Sequence, residues 1–346
     1  MPRNSKSNMI LKKTFDRTKL ACFGRYALQV PEDSELLWGE ASFPSRIRII
    51  EGDLLKARAQ IVEDIAMLKR KYSSYEVIYN GSGPVESSLQ IRYYEDEVAK
   101  EYNALYFDTY IVKNDLIFVL GDSLGDRETQ DLVARRQAAQ ARSLSLREDD
   151  EVPTSQGYCI EKAFMASDLY NDQEMVNAGL YIPTLPDVTF SISSNKDAYS
   201  DLKKDDFDRM KREELGLLAR IRGAQEIQGS RYPDRTVLRE GRRAVQHWQG
   251  EESLVRRADG THDFEWCSIG TPKDVANPAE FSARMYTKVA DNLVGAAAKS
   301  SLSDAEAIAL WDKLLDGLKF RVKVPGAPVG SYYFPPGVGA DGGGRR

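Results

Sequence analysis

The sequence predicts an α+β protein of two tandem modules, each a mainly antiparallel sheet packed with helices. Two similar cysteine-bearing runs carry that prediction first. Residues 22–31 (CFGRYALQVP) and 155–166 (SQGYCIEKAFMA) each open one half of the chain and precede a similar order of elements. Short alternating runs joined by turn residues, interleaved with helix-period segments, then favour antiparallel pairing over parallel βα crossovers. Finally, 346 residues that are 42% hydrophobic and 29% charged are enough for two cores rather than one.

Residues 1–20 are polar and read as a flexible N-terminus. The first module spans residues 21–142. Its opening strand, 22–31, stops at Pro31, and a short strand follows at 45–50, where Ile47 and Ile49 alternate with Arg46 and Arg48. Asp53 is placed to N-cap a long helix to about Lys71, with Leu54, Leu55, Ile61, Ile65 and Leu68 at helical spacing. Strands at 75–79 and 87–94 lead to a hairpin, 105–112 with 116–120, turning at Lys113-Asn114-Asp115. A helix over 127–141 closes the module.

Residues 143–154 (SLSLREDDEVPT) are acidic, end near Pro153 and read as a linker. The second module, 155–324, restarts with strands at 157–165 and 188–193, the latter entered through a turn at Leu185-Pro186-Asp187. A charged helix is expected over 205–222, with Met210, Leu215, Leu217, Leu218 and Ile221 as its apolar face. Strands follow at 240–249, 254–257, 261–268 and 279–289. The last helix, 303–318, starts at Ser303, carries Glu306 for a capping box and ends near Gly317. Residues 325–346, rich in Gly and Pro, are expected to be disordered.

A net charge of −5 and a pI near 5.4 exclude a general nucleic-acid binder, which needs basic excess to displace counterions. No run approaches the ~18 apolar residues of a membrane span. The basic N-terminus lacks the apolar core of a signal peptide, so a cytoplasmic protein and one whose export signal has been removed are both compatible with it. Cys22, Cys159 and Cys267 fit no zinc spacing and read as buried hydrophobes, with a disulfide between two of them left open. Trp38, Trp266 and Trp311 fall at core positions.

Residues able to do chemistry are scarce. Among only two histidines there is no metalloprotease pattern, no phosphate-binding loop and no paired-cysteine motif, so neither metal nor cofactor is expected. One motif favours catalysis. Gly121-Asp122-Ser123-Leu124 follows an apolar strand and matches the nucleophile block of GDSL-type esterases and lipases. Gly157, Asn171-Asp172 and Asp259-x-x-His262 follow in that family's order. Ser123 would be the nucleophile, His262 its base, Asp259 the orienting carboxylate, and Gly157 and Asn171 oxyanion donors. The position argues against it. Ser123 lies deep inside a module, on the second arm of an antiparallel hairpin, where that fold needs a parallel sheet.

A second resemblance covers both modules. The run CFGRYALQVP is similar to the opening strand of immunity proteins that protect bacteria from type VI secretion phospholipase effectors, specifically the two-domain family cognate to the fourth lipase-effector family. GYCIEKAFMA, Ala178-Gly179-Leu180, LPDVTFSISSN (185–195), HDFEWCSIG (262–270) and LWDKLLDGLKFR (310–321) extend it in order. The resemblance implies a non-catalytic, periplasmic inhibitor whose two domains grip an α/β-hydrolase-type lipase like a clamp and hinder substrate access, with no cofactor and no nucleic acid. Affinity would then come from buried aromatic and Arg anchors. Arg231, Tyr232 and Arg235 in GSRYPDR, with His247 and Trp248, are the candidates in exposed loops. A non-catalytic scaffold or solute-binding protein is the remaining alternative.

Overall fold

The structure is a computed structural model that describes residues 11–125, 128–287 and 300–335. The described residues divide into two units. One holds residues within 1–39, 149–156 and 174–346; the other holds those within 40–148 and 157–173. This differs from division at the 143–154 linker. Each cysteine-bearing run belongs to the unit built mainly from the other half of the chain. The runs themselves are tight hairpins, not single strands: Thr18–Phe23 pairs with Tyr26–Pro31, and Gly157–Ile160 pairs with Ala163–Ala166. Positive φ at Gly24 (52°) and Lys162 (57°) makes the two turns. Cys22 and Cys159 are disulfide-bonded, whereas Cys267 is a free thiol whose pKa burial pushes up to about 12.

The unit of residues 40–148 and 157–173 is a sheet between two helices. Strands Ser45–Glu51, Leu116–Ser123, Tyr106–Lys113, Ser88–Tyr94 and Glu76–Ser82 lie side by side, all antiparallel. Alternation sends Leu89, Ile91, Tyr93, Tyr110, Ile117 and Val119 to one face, against Ile61 and Leu68 of the Leu54–Lys71 helix. As expected, Asp53 caps that helix, accepting from the Lys56 backbone at 2.9 Å. Leu105, Phe107 and Leu124 face Val133 of the Gln130–Ser143 helix. That helix begins three residues later than expected, capped by Thr129; Arg127 itself lies outside the described residues. Its buried Gln137 bonds Thr109 Oγ1 at 2.7 Å and the carbonyls of Phe107 and Leu120. Part of the linker, Leu144–Leu146, pairs with Ala163–Ala166.

In the other unit, strands Arg235–Val245, Trp248–Arg257, His262–Ser268, Glu280–Thr287, Val188–Asn195 and Met175–Tyr181 form one antiparallel run. The expected strand across 240–249 is broken by a hairpin turn at Gln246-His247, where Gln246 adopts φ 53°. The expected 205–222 helix is two, Lys204–Glu213 and Leu217–Gln228, separated at Leu215-Gly216. The Asp304–Asp316 helix has the full Ser303/Glu306 capping box, and Gly317 is its C-cap. Its Trp311 packs edge-on to Phe190 and Phe264. The first hairpin joins a second sheet through Leu318–Val322, to which Tyr332–Phe334 pairs in parallel. Residues 325–335 are therefore structured; 336–346 of the expected disordered tail lie outside the described residues. Tyr26 stacks on Phe281 and Phe320 at 4.8 and 5.2 Å and meets Trp248 at 6.0 Å.

Charge is buried beside this cluster. Arg25, in the hairpin turn, gives a two-pronged pair to Glu174 (Nε–Oε2 2.8 Å, Nη2–Oε1 2.7 Å), and both side chains are almost wholly buried. Removing one partner strands a charge in the interior, which costs about 3–5 kcal/mol, while replacing both with apolar residues is far cheaper. Arg25→Met is accordingly expected to lose about that much in urea unfolding, and Arg25→Met/Glu174→Met to recover most of it. A single-variant loss below about 1 kcal/mol would contradict this. In the other unit, burial raises Asp108 from 3.8 to about 6. Between those values the native state holds a proton that the unfolded chain has released. The contribution of this group to stability therefore falls as pH rises from about 4 to about 6. Asp108→Asn should abolish that slope and gain on the order of 1–3 kcal/mol over the parent at pH 7 but not at pH 4, as chemical denaturation at the two pH values will show.

Candidate effector-binding surface and placement of the candidate residues

Each residue of the catalytic-looking block has a structural task. Gly121 lies across the ladder from Asp108, and a Cβ there would come within 3.1 Å of the Asp108 Oδ1. Asp122 holds Arg136 through two bonds, to Nε at 2.8 Å and Nη2 at 2.9 Å. Ser123 is the exposed last residue of its strand, paired with Tyr106. Leu124 is buried in the cluster with Phe107 and Val133.

The expected partners are engaged elsewhere. His262 is buried; its Nε2–H donates to the Asp304 carboxylate oxygen Oδ1 at 3.0 Å, and its Nδ1 lies 2.9 Å from the Thr287 hydroxyl, which also accepts the His262 backbone N–H at 2.9 Å. The carboxylate of His262 is thus Asp304, on the first turn of the last helix, and not Asp259. Asp259 closes a turn, accepting from the backbone N–H and hydroxyl of Thr261 at 3.0 and 2.7 Å, with Gly260 at φ 83°. Gly157 is required for close packing, since a Cβ would lie 2.3 Å from the Phe164 ring. Asn171 sits exposed in a bend. The five residues of the hydrolase reading do not form a hydrogen-bonded relay, because both His262 nitrogens are spent on structural partners. Among the described residues no cluster of His, Cys, Asp or Glu could hold a metal.

The proposed contact residues separate into two groups. Trp248 is not in an exposed loop: it is 1% exposed, starts a strand, and donates Nε1–H to the Ala276 carbonyl at 2.8 Å. His247, in the hairpin turn, is half-buried and donates Nε2–H to the same oxygen at 2.9 Å. Burial holds its pKa below the ordinary imidazole value. Both belong to the aromatic cluster with Tyr26 and Phe320. The Arg235–Val245 strand runs about 30 Å from this turn to the other group.

At that far end the chain leaves the Leu217–Gln228 helix through Gly229 (φ 52°) and a single 3-10 turn, Gly229–Arg231. Arg231 is exposed, Tyr232 and Arg235 are half-buried, and the Arg235 guanidinium lies 4.7 Å from the Tyr232 ring centroid. Tyr232 and Arg235 line a surface cavity of about 510 Å³ with Pro233, Asp234, Val255 and Arg257. Periodicity could not have disclosed this cavity, because its floor comes from a strand more than twenty residues further along.

Comparison with known proteins places the chain. The family model described as the Tle cognate immunity protein 4 N-terminal domain matches residues 19–155, and that of the C-terminal domain matches residues 151–323. No curated protein matches the chain. Among solved structures it is similar to the apo immunity protein TplEi of the type VI secretion system from Pseudomonas aeruginosa (20% identity, TM-score 0.65, 88% of this chain and 97% of that one). The same protein in complex with "L" peptide gives 21% identity, a TM-score of 0.63, and 88% and 98% coverage. The Tle4–Tli4 complex gives 22%, 0.67, and 88% and 97%. With its two family domains matched over nearly all of residues 19–323, this chain belongs to the Tle cognate immunity protein 4 family and is an immunity protein, not an enzyme.

Proposed function

We propose that the chain neutralises a phospholipase of the α/β-hydrolase class delivered by a type VI secretion system, by binding it stoichiometrically and barring substrate from its catalytic site. Membership of the immunity family across both domains carries the reading. The chemistry agrees with it, since both imidazoles are committed to structural bonds and Ser123 serves as a strand end. The solved complex of TplEi with a peptide supports recognition of a short partner segment by this fold.

The periplasm is the proposed place of action. Cys22 and Cys159 are each disulfide-bonded, which suits an oxidising compartment, where thiol buffers do not reduce such bonds.

Two experiments test these statements. Mixed with its cognate lipase, the chain is expected to elute as a single species whose light-scattering mass is the sum of the two partners. Ser123→Ala should bind identically; separate elution at micromolar concentration, or loss of binding in that variant, would sink the reading. Protein recovered from the periplasm and denatured without reductant should show one thiol, Cys267, to alkylating reagents. Three reactive thiols would contradict the compartment.

A further inference from the structure

The Leu54–Lys71 helix carries apolar side chains on two opposite faces. Ala57, Ile61 and Leu68 are buried against its sheet. Leu55, Ala59, Val62 and Ala66 follow one another at intervals of four, three and four residues, which places them along the face turned away from that sheet. Leu55 is 72% exposed and Val62 67%; Ala59 is exposed and Ala66 half-buried. A helix with one partner presents charge on its outer side. Here an apolar stripe with the spacing of a helix–helix seam runs along it instead.

Charge is distributed along this stripe from one sign to the other. Lys69 and Arg70 stand in the last turn, with Lys71 beside them over the Tyr72 ring and facing Glu95. Glu51, Asp53 and Asp115 gather at the first turn, where the Gly52 N–H donates to the Asp115 carbonyl; Lys113 is the cation of that hairpin. Between the ends, Lys56 and Glu63 share one flank but are seven residues apart, out of reach of each other within the helix. Glu51, Lys56, Glu63, Lys69, Arg70 and Asp115 have no ion-pair partner among the described residues.

We propose that this outer face is a self-association surface, on which two copies pack the Leu54–Lys71 helix antiparallel about a two-fold axis midway between Ala59 and Val62. Leu55 then meets Ala66 of the second copy, and Ala59 meets Val62, each twice. Lys56 comes opposite Glu63 of the second copy, Arg58 on the other flank comes opposite Ile65, and the basic last turn reaches the acidic first turn. The reversal of sign selects this occupant. An anionic lipid surface would be attracted at the last turn and repelled at the first, and parallel pairing would set like ends together. The helix has 18 residues and is about 27 Å long, so this seam alone falls short of the ~1,200 Å² of a stable interface. The dimer is accordingly weak, with a dissociation constant on the order of 100 μM, and the effector at micromolar concentration meets monomers. This inference does not rest on the effector-binding reading.

Sedimentation equilibrium of the full chain from about 5 to about 500 μM tests it. The weight-average mass is expected to climb from one chain toward two. Leu55→Asp/Val62→Asp, at two exposed positions, should keep the parent's melting temperature and remain monomeric throughout. Lys56→Glu and Glu63→Lys should each weaken association about fivefold, and both in one chain should restore it, because the exchange rebuilds the pair across the seam. A mass of one chain at every concentration, association unchanged in Leu55→Asp/Val62→Asp, or no rescue by the exchange would overturn the inference. If the parent stays monomeric while Leu55→Asp/Val62→Asp loses binding to the lipase or to phosphatidylglycerol vesicles, the face belongs to that partner and the inference fails.

Discussion

The buried Arg25–Glu174 pair is the constraint on which the larger unit depends. A guanidinium and a carboxylate in the interior are tolerable only with each other, and their two-pronged geometry at 2.7 and 2.8 Å fixes position as well as charge. That pins the turn of the first hairpin, 149 residues from its partner in sequence, to the start of the Met175–Tyr181 strand. Tyr26 is thereby set into the aromatic cluster, with its hydroxyl 2.9 Å from Ser194 Oγ. The Arg25 carbonyl accepts the Arg321 N–H at 2.8 Å, and the wholly buried Arg321 side chain donates to the carbonyls of Pro153 and Ser155. One polar knot thus holds the N-terminal hairpin, the 149–156 crossing and a C-terminal strand in one unit.

This knot also explains where reading the sequence succeeded and where it stopped. Local signals were legible because their physics is local: the Asp53 cap, the Ser303/Glu306 box and the hairpin turning at Asn114 all fall where capping and turn chemistry place them. The assignment of each cysteine hairpin to the opposite unit was not legible, since nothing within ten residues of Arg25 reveals a partner at Glu174. Strand Glu35–Phe43 escaped for another reason: Leu36, Leu37 and Trp38 are three apolar residues in a row, so the period-2 signal is weak there. Trp248 beside His247 suggests an exposed loop from sequence alone, but the turn falls at Gln246-His247 and Trp248 opens the next strand, inside the core.

The four-residue hydrolase motif shows how an isolated match misleads. Its glycine accommodates a buried carboxylate, its aspartate holds an arginine, its serine ends a strand and its leucine fills a core. The requirements of the end of an interior strand reproduced a catalytic signature without catalytic geometry. By contrast, GSRYPDR was legible as a turn, and the structure places Arg231, Tyr232 and Arg235 together around one. Their neighbours across the cavity, Val255 and Arg257, needed the fold.

An immunity protein needs a rigid scaffold and a recognition surface, and the chain supplies the first with buried polar and aromatic clusters. Titrating a fixed amount of the cognate lipase with the purified chain, while following phospholipid hydrolysis, tests the account most directly. Activity should fall linearly to baseline with a break at one equivalent, and the chain alone should release no fatty acid. Undiminished lipase activity at a several-fold excess of folded chain would contradict it.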